Sequence, residues 1–286
     1  MDQYGVIGHP VAHSWSPFIH ATFARQTGQT LDYRLHDVPP ERFFAHVLDF
    51  AASGGCGLNV TVPHKVAAAR LSTELSGRAR RAGAVNTLKF DGERVLGDNT
   101  DGAGLVRDLC GNLGLSLAKA RILLAGAGGA ARGVVGPLLG LDPAEVVIAA
   151  RAGERARALA ADFPDASQRL RGCAFGDLDG LDDLAPRAFD LVINATSASL
   201  SGEVPAVPET AVGATTTCYD MAYGRSRTPF ERWALERGCE RAVQGWGMLV
   251  EQAAESFLLW RGVRPDTAPV LALLTGSAGT QPATAS

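Results

Sequence analysis

The sequence has no surplus of basic residues. Its 286 residues include 27 lysines and arginines against 30 aspartates and glutamates, which gives a formal net charge of -3. The arginines are scattered or stand beside acids, so the chain offers no basic face to a phosphate backbone. We therefore predict that nucleic acid is not a partner of this protein.

Long apolar runs and paired cysteines are missing as well. No uninterrupted apolar run reaches the ~18 residues of a membrane span. The segment Met1-Asp2-Gln3-Tyr4 lacks the basic and apolar regions of a secretion signal. The five cysteines are widely separated and form no C-x-x-C pair, which fits a reducing compartment and disfavours structural zinc. We expect a cytoplasmic protein with no membrane partner and no metal.

Glycine, by contrast, is abundant. It accounts for 33 of the 286 residues, whereas its usual share is only ~7%. These glycines follow no three-residue period, which excludes a collagen-like triple helix. Hydrophobic residues make up 46% and charged residues 20% of the chain, as in a folded globular protein. The surplus of glycine therefore indicates tight turns and close approaches of the backbone.

Short apolar strands alternate with helical segments along the chain. Strands are predicted at residues 4–8, 31–38, 57–62, 85–90, 120–125, 146–150, 189–194 and 216–221. A last helical segment covers residues 247–260. The alternation predicts the α/β class, with a parallel sheet, helices on both of its faces and a domain boundary near residue 102.

A glycine-rich turn follows the strand predicted at residues 120–125. It has the pattern G-x-G-x-x-A and opens a helix, which is the context of a dinucleotide-binding turn. Gly126 permits the tight turn, Gly128 leaves room for a pyrophosphate, and Ala131 is small enough for close packing of the helix on the sheet. Free N–H groups and the positive end of the helix dipole would hold the phosphates.

The end of the next strand decides between NAD and NADP. An NAD enzyme places Asp or Glu there against the ribose hydroxyl, but this strand ends in Ala150-Arg151. The planar cation of Arg151 suits a 2′-phosphate, and Arg155 on the following helix is a second candidate contact. We therefore predict NADP as the cofactor, with a solvated surface role for Arg151 as the alternative.

Polar side chains gather at other predicted strand ends and loops. They are hydroxyls, amides, one ammonium and one carboxylate, which suit a small polyhydroxylated acid. In an α/β sheet, ligands bind at the carboxyl ends of the strands. The clusters are Ser14-x-Ser16, Asn59-Val-Thr61-Val-Pro-His-Lys65, Asn86-Thr87 and Asn99-Thr100-Asp101-Gly102.

In these segments the sequence resembles the shikimate dehydrogenase family. The resemblance spans nearly the whole chain and rests on eight motifs in order: Ala12-His-Ser-Trp-Ser-Pro17, Gly57-Leu-Asn-Val-Thr-Val-Pro-His-Lys65, Gly83-Ala-Val-Asn-Thr87, Gly97-Asp-Asn-Thr-Asp-Gly102, Gly126-Ala-Gly-Gly-Ala-Ala-Arg132, Asn194-Ala-Thr-Ser197, Tyr219-Asp-Met221 and Gly247-Met-Leu-Val-Glu-Gln-Ala254. It implies reversible NADPH-dependent reduction of 3-dehydroshikimate to shikimate, a step of aromatic amino-acid (chorismate) biosynthesis.

The resemblance also implies a division of the chain. Residues 1–102 and 238–276 would form an α/β substrate domain completed by the C-terminal helices. Residues 103–237 would form an inserted Rossmann-type NADP-binding domain. Apart from the resemblance, the small and polar residues at the C-terminus predict a disordered tail over residues 277–286. The sequence does not fix the oligomeric state, and a monomer and a homodimer are both open.

Site residues follow from the same resemblance at the matching positions. Ser14 and Ser16 would hold the substrate carboxylate, and Lys65 and Asp101 would be the catalytic pair. The ring hydroxyls would contact Asn59, Thr61, Asn86, Asp101 and Gln252. The cofactor would contact Gly126, Gly128, Gly129, Ala130, Ala131, Arg151, Arg155, Thr196, Met221 and Gly245. Simpler structural roles are open for three of these: a helix N-cap for Ser16 and for Asp101, and a helix-surface amide for Gln252.

The environment of Lys65 can be argued without the family. Pro63 at the first helical position would put Lys65 in the first turn, where the helix dipole disfavours an ammonium. A nearby Asp101 carboxylate would oppose this effect. The balance decides whether Lys65 donates a proton to the forming alkoxide or stabilises it as a fixed charge.

Two other functions compete with this interpretation. A quinate or dual quinate/shikimate dehydrogenase shares almost every motif, although Ser16 and the missing acid at the NAD position disfavour it. A catalytically silent protein that binds shikimate or NADP as a regulator is the rival of another class. The presence of both Lys65 and Asp101 argues against that rival. Many NADP-using relatives carry a second arginine where this chain has Glu154, which weakens the expected discrimination against NAD.

Overall fold

The chain folds into two compact units. The computed structural model describes residues 1–180 and 188–276. The first unit contains Met1–Asp108, Arg132–Pro137 and Met248–Val270. The second contains Leu109–Ala131, Leu138–Gly247 and the described residues from Leu271 onward. The main breaks therefore follow Asp108 and Gly247, a few residues beyond the predicted boundaries at 102 and 238. The predicted tail, residues 277–286, lies outside the described residues.

Twelve strands and ten helices are found in the described part of the chain. The strands are β1 (Asp2–Gly8), β2 (Leu31–Asp37), β3 (Gly55–Val60), β4 (Glu74–Leu75), β5 (Thr87–Asp91), β6 (Arg94–Asp98), β7 (Arg121–Ala125), β8 (Glu145–Ala150), β9 (Leu170–Ala174), β10 (Leu191–Asn194), β11 (Thr217–Asp220) and β12 (Arg241–Gln244). The helices are α1 (Ser16–Gln26), α2 (Phe43–Ala52), α3 (Lys65–Leu71), α4 (Gly77–Ala82), α5 (Asp101–Val106), α6 (Gly129–Leu139), α7 (Gly153–Ala161), α8 (Pro229–Glu236), α9 (Trp246–Arg261) and α10 (Ala268–Gly276).

The first unit is built on a mixed six-stranded sheet in the order β2-β1-β3-β5-β6-β4. Strands β1, β2 and β3 are parallel, as the alternation of strands and helices predicts. Strand β5, however, runs antiparallel to both β3 and β6. The reason is a hairpin, in which Asp91 pairs with Arg94 across a two-residue loop that begins with Gly92 at φ 59°. Glycine at the first of the two loop positions is typical of such a turn, and β6 was not among the predicted strands.

The second unit is built on a six-stranded sheet in the order β12-β11-β10-β7-β8-β9, and each pairing in it is parallel. The chain runs outward from β7 through β8 to β9, then returns to β10 and runs outward through β11 to β12. The order therefore reverses between β7 and β10, where a Rossmann-type sheet binds its ligand. Strands β9 and β12 complete the two edges and were not predicted.

Two predicted helix starts are wrong. Trp15, and not Ser16, is the N-cap residue of α1, and Ser16 is its first helical residue. Pro63 does not open α3, because the N–H of His64 donates to the carbonyl of Thr61 in a turn before the helix. His64 is the N-cap residue and Lys65 the first helical residue, so Lys65 does lie in the first turn.

Helix α9 completes the first unit. The indole N–H of Trp260 donates to the carbonyl of Leu88 on β5 at 2.9 Å, and its ring lies 4.8 Å from that of Tyr4 on β1. Gly57 on β3 makes room for it, since a Cβ there would overlap the indole nitrogen. These contacts attach a C-terminal helix to the N-terminal sheet, as the resemblance implies. Among the described residues, no helix combines the length and the apolar character that crossing a bilayer requires.

We predict that Gly172→Ala destabilises the second unit. Gly172 lies on β9, and a Cβ there would overlap the backbone carbonyl of Ala156 in α7. The backbone of Ala156 cannot rotate away as a flexible side chain could, so helix α7 would have to move away from the sheet. We expect a loss of about 1–3 kcal/mol in the free energy of unfolding, measured by urea denaturation. Gly176→Ala is the matched control, because a Cβ there meets nothing within 4 Å, and an equal loss in both variants would contradict the prediction.

Candidate active site

Lys65 and Asp101 form an ion pair in the first unit. Each is the first residue of a helix that follows a strand: Lys65 opens α3 after β3, and Asp101 opens α5 after β6. Strands β3 and β6 flank β5, so the sheet brings the two helix starts together. The Lys65 Nζ atom lies 2.5 Å from Asp101 Oδ2, and the two side chains are only 12% and 6% exposed. Poor access to water strengthens the attraction between such charges.

Asn86 contacts the other oxygen of this carboxylate and links it to Gln252. Asn86 Nδ2 donates to Asp101 Oδ1 at 2.9 Å and lies 3.2 Å from Gln252 Oε1. Asn86 Oδ1 accepts from the backbone N–H of Thr100 at 2.8 Å. Asp101 therefore has a donor on each oxygen, Lys65 on one and Asn86 on the other. Thr100, and not Asp101, is the N-cap residue of α5, and Gln252 contacts this cluster as well as its own helix.

Asn59 belongs to a neighbouring buried polar network. Its Nδ2 atom donates to Ser256 Oγ at 2.9 Å and lies 3.2 Å from Thr87 Oγ1, and its Oδ1 accepts from Tyr33 Oη at 2.7 Å. The side chain of Asn59 is thus engaged inside the protein, and its contact with a ring hydroxyl stays a prediction. Tyr33, Thr87 and Ser256 were not among the predicted site residues. Ser256 could have been found, since it lies four residues after Gln252 on the same face of α9.

Ser14, Ser16 and Thr61 lie at the ends of two neighbouring strands. Ser14 and Ser16 follow β1, Thr61 follows β3, and the N–H of Thr61 donates to the carbonyl of Ile7 on β1 at 2.9 Å. Ser14 Oγ donates to Ser16 Oγ at 3.1 Å. In residues 1–180 and 188–276, no hydrogen bond joins these hydroxyls to the Lys65–Asp101 pair. Ser14 and Ser16 form a polar pair of their own, and Ser14 and Thr61 are half-buried while Ser16 is buried.

The glycine turn of the second unit fits a dinucleotide. Gly126 has φ 119°, a conformation that favours glycine, and a Cβ there would lie 3.0 Å from the carbonyl oxygen of Ala195. A Cβ on Gly128 would meet nothing within 4 Å, so its backbone is open to a ligand. Gly129 and Ala130 open the 11-residue helix α6, and Ala131 is fully buried. The turn thus offers helix N–H groups beside open space, as a pyrophosphate requires.

The other candidate cofactor residues follow the neighbouring strands. Arg151 and Arg155 are exposed after β8, and Thr196 follows β10, where its N–H and hydroxyl donate to Asn194 Oδ1. Met221 follows β11 and Gly245 follows β12; a Cβ on Gly245 would lie 2.6 Å from the Met221 carbonyl oxygen. The sheet places all of these positions, together with the glycine turn, at the carboxyl ends of its strands.

Two further groups near these positions were not predicted. Asp220 ends β11 and accepts from Asn194 Nδ2 at 3.0 Å and from Ser199 Oγ at 2.6 Å. Burial raises the pKa of Asp220, although these hydrogen bonds oppose the shift. Burial also raises the pKa of Tyr223 to about 12, and its ring lies 4.7 Å from that of Trp246. Asp220 stands inside the motif Tyr219-Asp-Met221, so the sequence did carry a signal for it.

Comparison with known proteins assigns the chain to a family. The shikimate dehydrogenase substrate binding domain matches residues 6–88, the shikimate / quinate 5-dehydrogenase domain residues 109–203, and the shikimate 5'-dehydrogenase C-terminal domain residues 245–275. The chain belongs to the shikimate dehydrogenase family. The shikimate dehydrogenase (NADP(+)) of Methylococcus capsulatus is 53% identical over 275 residues, which cover 96% of each chain. That of Dechloromonas aromatica is 54% identical over 273 residues, 96% of this chain and 97% of the relative.

A solved structure agrees with this membership. The shikimate 5-dehydrogenase of Thermus thermophilus, in complex with NADP(H) and shikimate, is 31% identical and superposes with a TM-score of 0.81, covering 95% of this chain and 97% of its own. The family fold, an α/β protein with a Rossmann-type domain, is therefore the fold of this chain. In the described residues, no group of three or more His, Cys, Asp or Glu side chains could hold a metal ion, and the five cysteines are free thiols.

We predict that His20 makes stability depend on pH. His20 is fully buried beneath Asn59, with its ring stacked on Tyr33 at 4.4 Å, and burial lowers its pKa to about 3. In the unfolded chain, His20 binds a proton near pH 6.5, whereas in the folded protein it does so only as the pH approaches 3. The protonation of His20 in the unfolded chain therefore lowers the free energy of unfolding as the pH falls below 6.5, by about 2 kcal/mol between pH 7 and pH 5. Burial also lowers the pKa of His36, to about 4, and those of His46 and His64, so these residues add losses of their own. Urea denaturation at both pH values should therefore show a loss that is smaller in His20→Phe than in the wild-type protein by about 2 kcal/mol; an equal loss in both proteins would contradict the prediction.

Proposed function

We propose that this protein catalyses the reversible NADP-dependent reduction of 3-dehydroshikimate to shikimate, a step of aromatic amino-acid (chorismate) biosynthesis. The observation that carries the proposal is the buried Lys65–Asp101 ion pair, braced by Asn86 and Gln252, in a member of the shikimate dehydrogenase family. An ammonium held in this way can stabilise a negatively charged oxygen or give it a proton.

The substrate would bind to the first unit. Ser14 and Ser16 would hold its carboxylate with their hydroxyls, and Thr61 at the end of the adjacent strand would contact a ring hydroxyl. Asn59, Asn86, Asp101 and Gln252 would complete the contacts with the ring. A polyhydroxylated acid offers hydrogen-bond donors and acceptors to these polar groups, whereas an apolar ligand offers none.

Lys65 would carry the proton chemistry. Bound NADPH would supply the hydride in the reducing direction, and bound NADP+ would accept it in the oxidising direction. In reduction, Lys65 faces the C3 oxygen and either donates a proton as the alkoxide forms or stabilises its charge. In oxidation, the same lysine stabilises the alkoxide or takes the hydroxyl proton. Asp101 holds Lys65 in place through its 2.5 Å bond, while Asn86 fixes the second carboxylate oxygen.

The second unit would bind NADP. The turn at Gly126, Gly128, Gly129, Ala130 and Ala131 would take the pyrophosphate at the start of α6. Arg151 and Arg155 would contact the 2′-phosphate, and Thr196, Met221 and Gly245 would line the remaining strand ends. Strand β8 ends in Ala150 and not in an acid, which supports NADP over NAD. The exposed Glu154 beside these arginines would make the preference smaller.

We also place the protein in the cytoplasm, as a monomer or a homodimer. The free cysteines fit a reducing compartment. The small-molecule substrate is its partner, and the charge balance gives no support for nucleic acid.

A four-way assay tests the function. Purified protein is incubated with shikimate or quinate, each with NADP+ or NAD+, and the nicotinamide absorbance is followed. We expect the highest kcat/KM with shikimate and NADP+. A higher kcat/KM for quinate would favour the quinate dehydrogenase alternative, and equal use of NAD+ would contradict the role of Arg151. Binding of shikimate without any absorbance change would establish a catalytically silent regulator instead.

We predict that Lys65→Met lowers kcat much more than it raises the KM for shikimate. The charge of Lys65 is needed most when the oxygen becomes negative, so its loss acts on the transition state. We expect kcat to fall by about 10²–10⁴-fold in steady-state kinetics. Lys89→Met is the matched control, because among the described residues Lys89 Nζ donates only to the Leu259 carbonyl in the same unit. An unchanged kcat in Lys65→Met would remove Lys65 from the mechanism.

A further inference from the structure

Arg78 is not among the residues proposed to contact substrate or cofactor. It does contact Asp98, which lies three residues before Asp101, and Glu255, which lies three residues after Gln252. It lies on the short helix α4 of the first unit. Its Nε atom donates to Asp98 Oδ1 at 2.7 Å and its Nη2 atom to Asp98 Oδ2 at 2.6 Å. This is a two-pronged pairing, which the planar guanidinium of arginine can form and the ammonium of lysine cannot.

Asp98 transmits this contact to the catalytic segment. It lies three residues before Asp101, and its buried carboxylate also accepts from Ser76 Oγ at 2.5 Å and from the N–H of Asn99 at 2.7 Å. Its carbonyl accepts from the backbone N–H of Asn86 at 3.0 Å. A movement of Asp98 would therefore displace Asp101 and Asn86 together. Burial alone would raise the pKa of Asp98, but the hydrogen bonds from Arg78 and Ser76 outweigh it and lower the pKa below its ordinary value.

The third nitrogen of Arg78 points to helix α9. Its Nη1 atom lies 3.5 Å from Glu255 Oε2, and Glu255 is three residues after Gln252 on that helix. Glu255 is only 11% exposed and also pairs with Arg107 and Arg264. One guanidinium thus connects the strand end that precedes Asp101 with the helix that carries Gln252.

We propose that Arg78 is a positioning residue for the reaction: its guanidinium holds Asp98 against Glu255 and so fixes Asp101 and Asn86 relative to Gln252. This inference rests on the proposed function. Asp101 needs such support because its carboxylate must keep Lys65 at one place while substrate binds. Displacements of about 1 Å at a reacting centre can lower the rate by about 100-fold.

Stability alone does not account for the arrangement. Ion pairs with little exposure contribute little net stability compared with apolar residues of similar volume, because removing charges from water is costly. The two short hydrogen bonds between the Arg78 guanidinium and the Asp98 carboxylate, called the fork below, instead fix the relative geometry of the two side chains. Arg78 fixes the geometry at Asp98, three residues before Asp101, and at Glu255, three residues after Gln252. Asp101 and Gln252 in turn both contact Asn86.

Three substitutions at Arg78 test the proposal. Arg78→Met removes the fork, Arg78→Lys keeps the charge without the planar geometry, and Arg78→Ala leaves a space that free guanidinium can occupy. Arg94→Met is the matched control, since Arg94 lies at the other end of β6 from Asp98 and its guanidinium pairs with the exposed Glu74. Folding of each variant is checked by circular dichroism, and all assays are run well below the lowest melting temperature.

We expect kcat for shikimate oxidation to fall at least about tenfold in Arg78→Met and Arg78→Lys. The KM for NADP+ should be unchanged in both, and Arg94→Met should behave as the wild-type protein. Millimolar guanidinium, compared with the same concentration of sodium salt, should raise the kcat of Arg78→Ala. Millimolar guanidinium lies far below the molar concentrations that unfold proteins. A rise in kcat at an unchanged melting temperature of Arg78→Ala would therefore report on the position of the catalytic groups and not on the stability of the fold.

The outcomes separate this inference from the proposed function. If the wild-type protein does not oxidise shikimate with NADP+, the proposed function fails and the inference fails with it. If the wild-type protein is active and Arg78→Met keeps its kcat, only the inference is overturned. A loss of kcat that accompanies a lower melting temperature and is not rescued by guanidinium also overturns it, in favour of a structural role.

Discussion

The ion pair between Lys65 and Asp101 is the interaction on which the rest of the site depends. Two opposite charges this close to each other and this poorly exposed are stable only if their remaining hydrogen-bonding capacity is used. Asn86 fulfils this condition for Asp101 on one side. If either charge were lost, the other would remain buried without compensation, so the pair has to be formed as a whole.

The surroundings of the pair are polar and buried, which lowers the stability of the folded protein relative to an apolar core of the same volume. Asn59, Asn86, Thr87 and Ser256 are each almost inaccessible to water and are joined to one another by hydrogen bonds. Such a network adds less stability than an apolar core of the same volume, but when every member has a partner it specifies one arrangement. The β-sheet makes this possible, because neighbouring strand ends bring segments that are distant in the sequence to one edge.

The sequence pointed to the polar residues near the ion pair more clearly than to the strands, helix starts and ion pairs that hold them in place. Buried parallel strands such as β7 and β8 are clear in a sequence, since they are short apolar runs bounded by turns. Strands β4, β9 and β12 are short or lie at or near sheet edges, and their residues carry less of this pattern. Two helix starts were misjudged, Ser16 as an N-cap and Pro63 as a first helical residue, because the start of a helix depends on the backbone angles of the preceding turn and not on residue type alone. The pairing of Arg78 with Asp98 joins residues 20 positions apart, and no local pattern reveals it.

The hairpin of β5 and β6 places a constraint on where this chain can change length. Thr87 pairs with Asp98 at one end of the ladder and Asp91 with Arg94 at the other. Since successive side chains of a strand point to opposite faces, one inserted residue within either strand would turn Asn86 or the segment leading to Asp101 away from its neighbour. Gly92 and Glu93 are exposed at the far end of the ladder, so extra residues there would leave the pairing intact. We therefore expect the tip of this hairpin to accept extra residues, whereas each of its two strands has to keep a fixed number of residues.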